Sequence, residues 1–134
     1  DHMRELVFPW HRSIVAAVHA RGKPAILHSC GNIYAMLEEI IDDLGYDAKH
    51  SFEDVILPVE EAWLQWSDRI AILGGIDMDF LATWTPEEVA TRAAGLLELT
   101  GSKGYALGSG NSIPPFIPVE NYLAMINVVN NLES

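Results

Sequence analysis

The chain has 134 residues, 49% of them hydrophobic and 20% charged, the composition of one globular domain able to bury a core without disulfides or structural metals. Its 19 acidic against 8 basic residues leave a formal charge of -11, the wrong sign for gripping phosphates, which excludes nucleic acid as the expected partner. One cysteine excludes an intrachain disulfide framework, and neither a membrane-length apolar run nor a secretory signal is visible, so a reducing cytoplasm without membrane contact is expected.

After Asp1-His2-Met3, which reads as native or as a cloning remnant, Val7, Trp10, Ile14 and Val18 recur at helical spacing between Arg4 and Ala20. That predicts a leading helix buried on this face, with Pro9 tolerable only in its first turn. Ala25 to His28 is a brief apolar strand; Asn32 follows as a helix N-cap, then Ile33, Leu37, Ile40, Ile41 and Leu44 at helical spacing, with Gly45 as the stop. The unit recurs. "YDAKHSF" reads as a strand, Pro58 to Trp66 as a helix, and "RIAILGGID" as the clearest strand of the chain. Thr85-Pro86-Glu87-Glu88 is a capping-box helix start, with Val89, Ala93, Leu96 and Leu97 as its buried face and Gly101 as its end. "GYALGSGN" supplies the fourth strand and turn, and Pro118 opens a final helix with Tyr122, Met125, Ile126 and Val129 on one side.

Short apolar strands alternating with helices predict an α/β fold with a parallel sheet covered by helices. No linker or change of composition divides the chain, so residues 1–134 read as a single domain. Four βα units behind a leading helix are half of a (β/α)8 barrel, for which roughly 250 residues are typical. Either the sheet stays open or half of the barrel is missing.

Chemistry-bearing residues gather where the strands end. His28 and Cys30 lie two apart, so an extended backbone aims imidazole and sulfur at one spot. The other strand ends carry His50 with Glu53, Asp77 with Asp79, and Ser109 with Asn111, and in parallel sheets and barrels the carboxyl ends of the strands hold the site. His-x-Cys is half of a zinc site, but taken alone the motif reads first as a core histidine beside a small thiol. Asp77 reads as a helix cap or as a pocket carboxylate; His50 and Glu53 read as a surface pair or as site lining. The prolines at 114, 115 and 118 shape a loop, and no G-x-G-x-x-G run supports a dinucleotide site.

Taken in order, "HARGKPAILHSCGN", "DAKHSFED", "DRIAILGGID", "TPEEV" and "GYALGSGNSIPPFIPVENYLAMI" resemble the uroporphyrinogen decarboxylase superfamily, which also holds the cobalamin-dependent methyltransferases. The resemblance covers nearly the whole chain and implies the C-terminal half of a TIM-type barrel. For the methyltransferase branch it implies a zinc held by His28, Cys30 and a later cysteine, acting on a thiol such as coenzyme M or on a methyl donor, with a corrinoid carried by a partner protein. Asn111 stands where that cysteine would fall, and an amide is a poor zinc ligand, leaving Asp77, a carboxylate from the absent half or a water to complete the shell. For the decarboxylase branch it implies no metal or cofactor, with an aspartate and arginines located outside this chain and a histidine at the place of Asn111. The acidic balance offers few cations to a polycarboxylate, which favours the methyltransferase-like branch. The expected roles are His28 and Cys30 on the metal, Asp77, Asn111 and His50 in catalysis, and Ser109, Glu53 and Asn32 at a small-molecule substrate. The other class is a non-catalytic half-barrel or binding module, and either way open strand edges and a bare sheet face predict a homo-oligomer, a dimer first.

Overall fold

The computed structural model describes residues 2–101 and 103–132. Its elements are α1 (Phe8–His19), β1 (Ile26–His28), α2 (Leu37–Asp42), β2 (Ala48–His50), α3 (Val59–Trp66), β3 (Ala71–Leu73), α4 (Met78–Thr83), α5 (Pro86–Thr100), β4 (Tyr105–Ala106) and α6 (Val119–Leu132). The strands form one parallel sheet in the order β1-β2-β3-β4, the arrangement of successive staves in part of a barrel. In the register Leu27, Lys49 and Ile72 lie side by side and are buried on the helix-covered face. The next row, His28 and His50, turns to the opposite face and is open to solvent or half-buried.

The core is built from Leu37, Ile40 and Ile41 of α2, Val59, Ala62 and Trp66 of α3, and Val89, Ala93 and Leu96 of α5, packed over Ile70, Ile72 and Ile76. At the start of α5, Thr85 Oγ1 accepts from the Glu88 N–H at 3.3 Å while Glu88 Oε2 accepts from the Thr85 N–H at 2.9 Å, the reciprocal bonds of a capping box. Gly101 then ends the helix in the left-handed region. The carboxyl end of α4 is satisfied by α6: the buried Asn121 Nδ2 donates to the carbonyls of Leu81 at 2.9 Å and Trp84 at 2.7 Å.

Four details depart from the periodicity. In α1 the buried residues are Phe8 and Val15, with Val7 and Val18 half-buried, whereas Trp10 and Ile14 stand exposed. The helix packs on one flank only, where His11 Nδ1 meets the Tyr46 hydroxyl at 2.8 Å, and nothing described here covers its other apolar stripe. Asn32 does not cap α2, because Met36 precedes it; instead Asn32 Oδ1 accepts from the Tyr34 N–H at 3.3 Å, opening a 3-10 turn, Tyr34–Met36, ahead of the helix. The long strand expected in "RIAILGGID" stops at Leu73, because Gly74 and Gly75 take φ of +92 and +104; the Gly74 N–H still donates to the Ala106 carbonyl at 2.9 Å, and beyond the kink Ile76 bridges to Ser109. In α6, Met125 is buried but Tyr122 and Val129 are exposed.

Candidate active site at the carboxyl ends of the strands

His28 ends β1 and Cys30 follows on the same side of the chain, where Cys30 Sγ lies 3.5 Å from His28 Nε2. Both residues are exposed, so neither is sealed in packed hydrocarbon. The neighbouring strand brings His50 in register with His28, their Nδ1 atoms 2.8 Å apart and their rings tilted by 35°. His50 Nε2 in turn meets the Ser109 carbonyl at 3.0 Å, in the turn after β4. From that same turn Asn111 Nδ2 donates to Cys30 Sγ at 3.3 Å, while its Oδ1 accepts from the Ser112 N–H at 2.8 Å. The Ser112 bond fixes which end of the amide faces the sulfur.

An open cleft of about 270 Å³ adjoins this group, lined by Phe52, Glu53, Asp77, Asp79, Gly110 and Asn111 among others. Asp77 is both cap and lining: Oδ1 accepts from the Asp79 N–H at 2.8 Å, and Oδ2 accepts from the Asp54 N–H at 3.2 Å, tying together the loops after β2 and β3. Behind it Arg92 pairs with Glu60 and reaches Asp54 at 3.6 Å. Burial raises the Asp54 carboxyl above its ordinary range; Arg92 opposes this, and Asp77 and Glu60 reinforce it. Glu53 is half-buried, Asn32 is exposed and occupied with local backbone, and the Ser109 hydroxyl donates to the Asn111 carbonyl at 2.7 Å.

The structure therefore gathers His28, Cys30, His50, Ser109 and Asn111 into one hydrogen-bonded chain, with Asp77 and Glu53 across the cleft and Asn32 to the side. Among the described residues no group of three His, Cys, Asp or Glu side chains is placed to hold a metal ion by itself.

The family model described as Uroporphyrinogen decarboxylase (URO-D) matches residues 1–132. The chain belongs to the uroporphyrinogen decarboxylase family. Within that family it is 32% identical over 130 residues to the uroporphyrinogen decarboxylase of Anaeromyxobacter sp. (strain Fw109-5), covering 96% of this chain and 36% of the relative. It is 33% identical over 132 residues to that of Anaeromyxobacter dehalogenans (strain 2CP-C), covering 97% and 36%. The chain thus spans about 36% of the length of these curated relatives. Among solved structures, a methyltransferase from Methanosarcina mazei superposes with a TM-score of 0.77 at 21% identity, over 98% of this chain and 37% of that one, a likeness of fold. The four-stranded parallel sheet is accordingly part of the TIM-type barrel of the uroporphyrinogen decarboxylase family.

Two residues near the strand ends escape a reading by motif. Lys49 shares the buried row with Leu27 and Ile72; its Nζ donates to the Ser51 carbonyl at 2.5 Å and sits 4.0 Å from the centre of the Phe52 ring. Desolvation brings this ammonium down to about 8, against the opposing pull of Cys30 and Glu53. Gly74 is the other. A Cβ there would lie 2.5 Å from the Ser109 carbonyl oxygen and 2.9 Å from His50 Nε2, so only a residue without a side chain leaves room for the contact between them. Its signal in the sequence is a glycine pair inside a strand pattern, which marks close backbone approach.

Proposed function

We propose that this chain is the zinc-binding, C-terminal part of a corrinoid-linked methyltransferase of the uroporphyrinogen decarboxylase superfamily. The observation that carries this reading is the pairing of His28 Nε2 and Cys30 Sγ at 3.5 Å on an exposed strand edge. Two ligands on a tetrahedral zinc, at about 2.0 Å for nitrogen and 2.3 Å for sulfur, stand about 3.5 Å apart, so the pair fits two corners of such a site. Asn111 faces the sulfur as a donor, not as a ligand, which leaves the other corners to the rest of a complete barrel and to water or substrate. A zinc bound there would supply Lewis-acid polarisation of a methyl donor or generate the thiolate of an acceptor.

The chain's own groups would do the rest. His28 and Cys30 hold the ion, the Asn111 N–H steadies the sulfur, and the cleft beside Asp77 and Glu53 receives the substrate. The name carried by the relatives raises a second reading, decarboxylation of a tetrapyrrole without a metal. The carboxylates of Glu53, Asp77 and Asp79 around the cleft oppose a polycarboxylate, and nearby Arg92 is spent on Glu60 and Asp54.

The test is metal uptake. Equilibrated with zinc and passed through a desalting column, the wild-type chain is expected to retain the ion, and Cys30→Ala and His28→Ala at least tenfold less. Equal retention by all three would sink the reading. Methyl transfer from methylcobalamin to a thiol would then be assayed in a complete barrel.

A further inference from the structure

The Ser109 carbonyl can only accept, so the His50 nitrogen facing it, Nε2, must carry a hydrogen and donate. With both rings neutral, His50 Nδ1 then has a lone pair, and the hydrogen between the two rings belongs to His28 Nδ1. That leaves His28 Nε2 bare, pointing at Cys30 Sγ 3.5 Å away. For a neutral pair, the order of the hydrogens follows from that one backbone carbonyl. The carbonyl itself is held by the Ile76–Ser109 bridge and by the room left at Gly74.

We propose that His50 is a positioning residue: together with the Ser109 carbonyl it locks His28 in the Nδ1–H tautomer and keeps the Nε2 lone pair presented to the centre it shares with Cys30. This deepens the metal reading and rests on it for its purpose. An imidazole ligand whose second nitrogen donates to a fixed acceptor is oriented and made more basic, and removing such a support costs about 10–100-fold in metal affinity. Here the support is a second imidazole on the adjacent strand, in register with the first.

Two measurements on the purified full chain separate the lock from the metal reading. Ring-nitrogen NMR without metal is expected to show His28 protonated at Nδ1 and His50 at Nε2; the reverse pattern, or a mixture at His28, would overturn the lock. Zinc affinity by competition with a chromogenic chelator is expected to fall at least tenfold in His50→Ala. It should return to within a few-fold of wild type in His50→Gln, whose amide can both accept from His28 and donate to Ser109. Wild-type affinity in His50→Ala would overturn the positioning role. If the wild-type chain takes up no zinc, the positioning role and the metal reading fail together, while the NMR pattern still decides the lock. If instead Cys30→Ala and His28→Ala lose zinc but His50→Ala does not, the positioning role fails and the metal reading stands. Circular dichroism on the glutamine variant guards against loss of fold, and Gly74→Ala, which crowds the carbonyl while keeping His50, should mimic His50→Ala.

Discussion

Lys49 is a residue whose placement makes folding depend on pH. Its pKa is brought from 10.5 to about 8 by desolvation, so between those values the unfolded chain binds more protons than the folded one. Stability contributed by this group therefore rises with pH across that window, and below about pH 8 the fold carries a charge that burial disfavours. Lys49→Met, which keeps the stem and removes the charge, is expected to raise stability at pH 7 by about 1–3 kcal/mol and to flatten the slope between pH 8 and 10, measured by urea melts at both ends. His28 and Cys30 were legible because a period of two needs only a strand. Lys49 was not, since its burial depends on Phe52 and on the covering loop, and no local pattern marks that. His50 stands out as a histidine at a strand end, but its pairing with His28 is set by inter-strand register, which the chain does not spell out.

Among the elements, the best-read segment is the start of α5, because a capping box is chemistry confined to four residues. Thr85→Ala removes the acceptor for the Glu88 N–H and should cost about 1 kcal/mol in thermal or urea melts. Asn121→Ala should cost more, about 1–3 kcal/mol, since it strips a buried donor from two carbonyls that close α4. The strands were found in the right order, yet the third proved shorter, because Gly74 and Gly75 turn the backbone out of the sheet to let a neighbouring loop approach. The α1 face departs from its periodicity for another reason. Helical spacing identifies a stripe that is apolar, but which of two apolar stripes is covered depends on what packs there, and Phe8 and Val15 won that contact over Trp10 and Ile14.

For the whole molecule, the arrangement is a run of barrel staves whose first strand ends the sheet. In the leading helical segment Leu6, Trp10 and Ile14 are 64%, 71% and 58% exposed, an apolar row of the kind that seeks cover. We expect the isolated chain to self-associate at micromolar concentration, and Trp10→Glu with Ile14→Lys to shift it to monomer in sedimentation velocity. A compact wild-type monomer would contradict this. Among the described residues no helix is long and apolar enough to cross a membrane.

That row also contains its own indicator. Of the 4 tryptophans, Trp66 is buried and Trp63 and Trp84 are half-buried, so Trp10 is the indole with most of its surface in water. Dilution or mutation that uncovers it should redden the intrinsic emission, and Trp10→Phe should abolish the change, so ordinary fluorescence can follow the partnering of the chain without a label.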